Sequence, residues 1–273
     1  MKHLLSTFIA LAFTLAACSG ALATPTPTAV PTEKPATATP LPPTSTPIPP
    51  TPTITPTATP NAQATQSARA TATFVAHLVD IAGILDQAGL VPTDGHVAWA
   101  DFDPHEVRSG DYGYFVYNQI AGNHDYGDFV FHSNVTWDTS TGLAGCGLIF
   151  RSEPDLANGE QFVFFTMRLS GAPFWDVELW QYDQPKSSLT GGLKANSAIH
   201  VDSNSTNEFL LVAKGHQLTA YANGSRLGAV TILRRDTGRM AVLAWQESGY
   251  ASCTYDDTWI WVPGNGGTSG SST

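Results

Sequence analysis

The segment Trp175–Trp180 alternates between polar and apolar residues, and it carries the side chains best suited to chemistry. Residues two apart on a β-strand lie on the same face, so Asp176, Glu178 and Trp180 are expected to point together. Carboxylate oxygens accept hydrogen bonds from hydroxyl groups, and an indole ring offers an apolar platform. This combination suits a sugar ligand, and Tyr182 continues the face if the strand extends that far.

The same two carboxylates raise the alternative of glycoside hydrolysis. Retaining glycosidases need two carboxyl groups about 5–5.5 Å apart. Residues two apart on a strand lie about 6.5–7 Å apart by backbone rise, a difference that side-chain tilt can close. Asp176 and Glu178 therefore fit either a binding site or a hydrolytic pair.

Two arginines extend the candidate site to neighbouring strands. Arg151 ends the small-and-apolar run 143–151, and Arg168 lies on the predicted strand 162–169. If these strands are neighbours, both guanidinium groups meet the carboxylates beside Trp180. A cross-strand ion-pair network on a solvated face is the alternative interpretation of this group.

The strand 162–169 alternates between two sets of side chains. Val163, Phe165 and Met167 belong to the purely apolar set, which we expect to face the core. The set that contains Arg168 is then expected on the ligand face. Trp245 and Gln246 form a second candidate ligand platform further along the chain.

Acidic residues in two predicted turns offer hard oxygen ligands of the kind that calcium prefers. They are Glu153, Asp155 and Glu160 in one turn and Asp256 and Asp257 in the other. Neither group has the spacing of a calcium loop, and the eight histidines show no ligand spacing. We therefore assign no cofactor or metal ligand and keep calcium as an alternative.

The residues that position these side chains are almost all β-forming. About a dozen short segments rich in aromatic and β-branched residues alternate with turn signals, which is typical of a sandwich or barrel. We predict one β-sandwich domain over residues 95–263. Its clearest hairpin turn is Asn223-Gly224, which suits the positive φ angles of a type I′ turn.

An Ala-rich helix is predicted over residues 61–90. Phe74, Leu78, Ile81 and Leu85 recur at helical spacing and share one face. This stripe can pack on the chain's own β-domain or on another copy, and both readings stay open. Pairing with a partner protein would make the chain a structural surface protein.

The flanking segments cannot form a core. Residues 18–60 are mostly Thr and Pro, a composition that favours a disordered, extended polyproline II stalk. Residues 264–273 are mainly Gly, Ser and Thr and are expected to be disordered.

Residues 1–17 have the features of a secretory signal: a basic start, a short apolar run and small residues before Cys18. The run is shorter than the roughly 20 residues that cross a bilayer. The stretch Leu15–Cys18 resembles the lipobox of bacterial lipoproteins. That resemblance implies lipidation of Cys18 and an extracytoplasmic chain anchored to the cell membrane.

Export also bears on the other two cysteines. Cys146 and Cys253 remain as a pair in an oxidising compartment, where we expect them to form a disulfide. Two buried free thiols are the alternative. The net charge of −10 and the absence of basic runs argue against a nucleic-acid partner.

The string Phe209–Gly228 resembles the central hairpins of concanavalin A-like jelly rolls, laminin-G-like domains and modules related to 3-keto-disaccharide hydrolases. Gly147–Arg151 and Phe162–Phe165 are similar to two further strands of these folds. The resemblance covers about residues 128–262. It implies a jelly-roll head whose concave face binds carbohydrate or a surface polymer, in some relatives with calcium.

Glucanases of this fold carry two Glu flanking an Asp on one strand. This chain has only Asp176-Val177-Glu178, so the third carboxylate is absent. We therefore expect a membrane-anchored binding lipoprotein with a monomeric head that recognises carbohydrate or cell-surface polymer. A glycoside-active hydrolase and a structural protein that binds a partner are the alternatives.

Overall fold

The computed structural model describes residues 62–110, 115–139, 142–247 and 250–264, with side chains from residue 75 onward. Cys18, the predicted signal segment, the Thr/Pro stalk and nearly all of the Gly/Ser-rich tail lie outside the described residues. Within this part of the chain, no helix is both long and apolar enough to cross a membrane.

The described elements follow one another along the chain. They are α1 (Ala62–Gln87), a short 3-10 helix (Pro92–Asp94), β1 (Gly95–Asp101), β2 (His105–Ser109), β3 (Phe115–Ile120), β4 (Phe129–Thr139), β5 (Ala144–Ser152), β6 (Gln161–Leu169), β7 (Ala172–Gln181), β8 (Gln184–Ser188), β9 (Lys194–Ala195), β10 (Ser205–Lys214), β11 (Gln217–Ala222), β12 (Ser225–Thr231), β13 (Arg239–Gln246) and β14 (Ala251–Pro263).

The strands form two antiparallel sheets of seven strands each. Sheet 1 has the order β1-β14-β4-β10-β11-β12, and β2 also pairs with β14. Sheet 2 has the order β3-β13-β5-β6-β7-β8, and β9 also pairs with β7. The chain crosses repeatedly between the sheets, as in a jelly roll. The predicted mainly β fold, a jelly-roll sandwich preceded by a helix, is confirmed.

The core lies between the inner faces of the two sheets. Because side chains alternate along a strand, the central strands of both sheets contribute every second residue to it. Phe129 and Phe131 come from sheet 1, and Leu148, Phe150 and Phe164 come from sheet 2. All five are almost completely buried.

The predicted disulfide is confirmed and joins the two sheets. Cys146 on β5 and Cys253 on β14 are bonded, with their Cα atoms 5.8 Å apart. Two residues further along β14, the buried hydroxyl of Tyr255 enters the ladder between β5 and β13. It accepts hydrogen bonds from the backbone N–H groups of Gly147, at 2.9 Å, and Leu243, at 3.3 Å. Sheet 1 is therefore fixed to sheet 2 by one covalent bond and one shared hydroxyl.

Helix α1 packs on the outer face of sheet 1. Ile81 and Leu85 are buried there against Leu210, Trp259 and Trp261. Of the two readings of the helix stripe, the structure shows packing on the chain's own sandwich. Leu78 stays 39% exposed, and the side chain of Phe74 lies outside the described part.

The Asn223-Gly224 turn has the predicted conformation. Asn223 has a φ of 51° and Gly224 a φ of 73°. These two residues separate β11 from β12, so the turn sets the register of this hairpin in sheet 1.

Candidate functional site

The outer face of sheet 2 is apolar and rich in rings. Its floor is buried and comes from adjacent strands: Ile149, Val163, Met167, Ala241 and Leu243. Around this floor lie six aromatic side chains, which together define the aromatic face: Phe115, Tyr117, Phe165, Phe174, Trp180 and Trp245. All except Phe165 are half-buried, so each presents part of its ring to solvent.

Sheet 2 is strongly curved over this face. The rings of Phe115 on β3 and Trp180 on β7 meet edge to face, with centroids 4.7 Å apart. Three strands lie between β3 and β7 in the sheet. In a flat sheet these strands would be about 19 Å apart, at about 4.8 Å per strand. Twisting and coiling of the sheet therefore bring two opposite corners together and make the face concave.

Loops at the β7–β8 end close the face further. Tyr117 lies close enough to Asp183 and Asp155 that both carboxylates, after burial itself, raise the pKa of its phenol. Leu156, from the loop between β5 and β6, is buried in the same apolar cluster. The aromatic face is thus bounded by β3 on one side and by the two loops on the other.

Glu178 is the carboxylate of this face. Its Oε2 accepts a hydrogen bond of 2.7 Å from Nε1 of Trp180. Burial raises the pKa of Glu178, the indole hydrogen bond opposes that shift, and nearby Asp176 adds to it. No described residue donates to Oε1. Glu178 therefore offers a carboxyl oxygen beside an indole ring whose position it fixes.

Asp176 does not act as a free carboxylate, contrary to our prediction. Its side chain shares the outer face of β7 with Glu178 but is only 1% exposed. Its Oδ1 accepts hydrogen bonds from the hydroxyls of Ser188, at 2.9 Å, and Thr190. The backbone N–H of Gly192 in turn donates to the Ser188 hydroxyl. Asp176 orders the loop after β8 and is not available to a ligand.

The predicted place of Arg151 was wrong. A positive φ of 47° puts it in a β-bulge, and its side chain is 1% exposed. Its Nη2 donates to the carbonyls of Gly127, at 3.0 Å, and Gly215, at 2.8 Å. The bulge turns the guanidinium away from the aromatic face, where it ties loops of the two sheets together.

The predicted face of Arg168 was also wrong. Strand β6 has apolar residues on both faces, and the sandwich interior takes Phe162 and Phe164. Arg168 belongs to that inward set, at the end of the strand. Val163 and Phe165, which we expected in the core, lie on the aromatic face. Apolar alternation could not separate the two faces because the outer face is itself apolar.

Two of the other predicted residues lie on the aromatic face and two do not. Trp180 and Trp245 are part of it, and Trp245 packs against Phe165 at 6.4 Å between centroids. Tyr182 is 61% exposed and occupies the turn after β7 with a positive φ. Gln246 is buried and points to the opposite face of β13 from Trp245, because it is the next residue on the strand.

Three aromatic residues of this face were missed. Phe115 and Tyr117 alternate on β3, and Phe174 precedes Trp175 on β7. The period-two pattern Phe-Val-Tyr on β3 was the available signal. The contact with Trp180 depends on sheet curvature, which the pattern does not encode.

The ion-pair network considered for this face is absent from the described residues. The four charged side chains proposed for it, Arg151, Arg168, Asp176 and Glu178, form no salt bridge with one another there. Nor do the described residues contain any group of three His, Cys, Asp or Glu side chains that could hold a metal.

Comparison with known proteins finds similarity only among solved structures. No protein-family model and no curated protein matches the chain. Among solved structures, carbohydrate-binding module CBM66 of Bacillus subtilis shares 13% identity, covering 62% of this chain and 96% of that one, with a TM-score of 0.46. A Bacillus subtilis protein of unknown function with a galectin-like fold shares 10% identity, covering 62% and 89%, with a TM-score of 0.42. The Bacillus licheniformis β-glucanase shares 10% identity, covering 51% and 68%, with a TM-score of 0.38. These values are too low to transfer a function, which therefore has to be argued from the aromatic face itself.

Proposed function

We propose that this chain binds carbohydrate through the aromatic face of sheet 2. The observation that carries the proposal is the set of half-buried rings around one hydrogen-bonding carboxylate, Glu178. Aromatic rings pack against the apolar faces of sugar rings, and a carboxyl oxygen accepts hydrogen bonds from sugar hydroxyls. An exposed apolar patch with few polar groups is also the usual form of a binding surface.

The rings are already fixed in the unbound chain. Trp180 is held by its hydrogen bond to Glu178 and by its contact with Phe115. Trp245 is held against Phe165. Side chains that are ordered before binding lose little entropy when the ligand arrives, which favours affinity.

Binding fits this face better than hydrolysis. A hydrolytic pair needs two carboxyl groups that reach the same glycosidic bond from either side. Asp176 is buried and its Oδ1 is occupied by hydroxyl donors, so Glu178 lacks a second carboxylate on its own strand. The proposal is therefore a binding protein that holds its polymer intact.

We further propose that Cys18 carries lipid and that the Thr/Pro segment 18–60 holds the sandwich outside the cytoplasm, on the membrane. The lipobox-like stretch before Cys18 motivates this proposal. The disulfide between Cys146 and Cys253 supports it, because such bonds persist in oxidising compartments.

The ligand proposal is tested with the chain carrying Cys18→Ser, screened against a glycan and polysaccharide array and then titrated by calorimetry. Trp180→Ala and Trp245→Ala should each weaken binding by about tenfold or more, equivalent to about 1.4 kcal/mol. Leu233→Ser is the matched control, because Leu233 is a 78% exposed apolar residue outside the aromatic face.

Absence of binding across the array would refute the carbohydrate proposal. Equal affinities for both tryptophan variants and the control would place the ligand elsewhere. The anchor is tested separately, by feeding producing cells an alkyne fatty acid. Label should enter the parent chain and be lost in Cys18→Ser, and label in both or in neither contradicts lipidation.

A further inference from the structure

A cluster of ionisable side chains lies where α1 packs on sheet 1. Its centre is His132 on β4, which is 1% exposed and stacks on Trp259 with ring centroids 4.8 Å apart. The other members are Glu208 on β10, Asp257 on β14 and His77 on α1. We call these four residues the latch cluster.

Both ring nitrogens of His132 lie near oxygen atoms of the surrounding strands. Nδ1 lies 2.9 Å from the backbone carbonyl oxygen of Asp257, which can only accept, so Nδ1 carries a hydrogen. Nε2 lies 3.3 Å from Oε1 of Glu208. A hydrogen on Nε2 as well would let the ring donate to Glu208, so this geometry accommodates a doubly protonated ring. Stacking on Trp259 places the charge of a protonated ring over the indole face, a favourable cation–π position.

Asp257 connects this buried ring to the helix. Its Oδ1 lies 3.4 Å from Nδ1 of His77, and its Oδ2 lies 3.8 Å from Nδ1 of His132. Asp257 has a positive φ of 48°, in a bulge of β14. The bulge lets one carboxylate serve a histidine on the sheet and a histidine on the helix. His77 also stacks on Phe102, with ring centroids 3.8 Å apart.

The remaining charged groups that face Asp257 are acidic. They are Asp80 on α1 and Asp256 on β14. Burial raises the pKa of Asp257, the two histidines oppose this, and both neighbouring carboxylates add to it. The hydrogen bond from His132 lowers the pKa of Glu208. The two histidines of the latch cluster therefore face four carboxylates, two within the cluster and two beside it.

We propose that the latch cluster makes the packing of α1 on sheet 1 sensitive to pH, closed at mildly acidic pH and loosened at alkaline pH. Only the packed state places His77 against Asp257, and this contact is an ion pair only when the imidazole is charged. By linkage, a contact that depends on a bound proton stabilises the packed state less as pH rises. Once both rings are neutral, the carboxylates of helix and sheet face one another without a cation.

Loosening has a defined structural consequence. Ile81 and Leu85 leave the sheet, and the apolar surface of Leu210, Trp259 and Trp261 becomes accessible. The helix also connects the sandwich to the preceding Thr/Pro segment in sequence. The latch cluster would thus set whether this connecting helix stays packed on the sandwich.

Hydrogen exchange of amides 78–88, read by mass spectrometry on the chain carrying Cys18→Ser, tests this proposal. Protection, corrected for the intrinsic pH dependence of exchange, should fall by roughly fivefold or more between about pH 6 and about pH 8.5. His77→Gln should flatten this dependence. His216→Gln should retain it, because His216 forms an exposed ion pair with Asp236 away from the helix.

Protection that does not change with pH in the parent chain would overturn the proposal. The same conclusion follows if His77→Gln keeps the full pH dependence of the control. His77 is partly exposed, and glutamine in its place removes both the ion pair with Asp257 and the stacking on Phe102. His132→Gln gives a second reading, since it should also flatten the dependence while near-ultraviolet circular dichroism reports whether the sandwich is intact.

Discussion

The replacement Tyr255→Phe isolates the contribution of one buried hydroxyl to the joining of the two sheets. That hydroxyl accepts from the N–H groups of Gly147 and Leu243. Its single hydrogen donates to the carbonyl of one of the same two residues. Phenylalanine keeps the ring in the core but leaves these backbone groups without their partner.

The magnitude follows from the number of bonds lost. The hydroxyl makes three hydrogen bonds at one time, and each contributes about 1 kcal/mol net, so Tyr255→Phe should destabilise the fold by about 3 kcal/mol. Partial closure of β5 onto β13 would reduce this figure, because the strands could then pair directly. We therefore expect a loss of about 2–3 kcal/mol.

The assay is urea unfolding with the disulfide intact, followed by tryptophan fluorescence. The midpoint should fall with an unchanged m-value, which shows that the same surface is exposed. Tyr126→Phe is the matched control, because Tyr126 is also buried but its hydroxyl bonds to no described residue. A loss for Tyr255→Phe that lies within about 0.5 kcal/mol of the control would refute the reasoning.

Four further changes test other parts of the structure. The Cys146–Cys253 disulfide joins residues 107 apart in sequence and so restricts the unfolded chain. Replacing both cysteines by serine should therefore lower the free energy of unfolding by about 4–5 kcal/mol, and a loss below about 1 kcal/mol would contradict this entropic account. Leu85→Ala should lower the free energy of unfolding by about 2–5 kcal/mol, and the amide hydrogens of α1 should lose protection from exchange first. Unchanged protection of these amides would count against packing of α1 on sheet 1. Asp176→Asn should destabilise the fold by about 1–3 kcal/mol and leave glycan affinity unchanged. A loss of glycan affinity without a loss of stability would instead show that Asp176 contacts the ligand. Glu178→Gln removes a carboxyl whose pKa burial raises. The parent should therefore lose stability as pH rises from the ordinary glutamate range to the raised value, and the amide variant should lack this decline; matching pH profiles would refute the shift.

The fold was largely readable from the sequence because its signals are local. Alternating β-forming segments and the Asn223-Gly224 turn depend only on neighbouring residues, and both are present in the structure. The helix stripe that contains Ile81 and Leu85 was readable for the same reason. The partner that this stripe covers was not, since either sheet or another copy could supply an apolar surface.

The site was only partly readable because it depends on bulges and curvature. The alternation of Asp176, Glu178 and Trp180 was correct, but the hydroxyl donors to Asp176 come from the end of β8 and the loop after it, 12 and 14 residues away. Arg151 was misplaced by a bulge, and Arg168 by a strand with two apolar faces. Spacing along a strand cannot reveal either feature.

The disulfide and the Tyr255 hydroxyl, which both join the two sheets, also affect how the sandwich would carry a mechanical load. The chain enters on the side of sheet 1, where α1 packs, while the aromatic face belongs to sheet 2. Tension between a ligand on that face and the preceding chain would therefore pass from one sheet to the other. The Cys146–Cys253 disulfide joins the two sheets covalently along this path. Tyr255, two residues further along β14, adds hydrogen bonds between the same sheets. Under such tension the noncovalent contacts between the sheets could shift, but the disulfide would keep β5 and β14 joined.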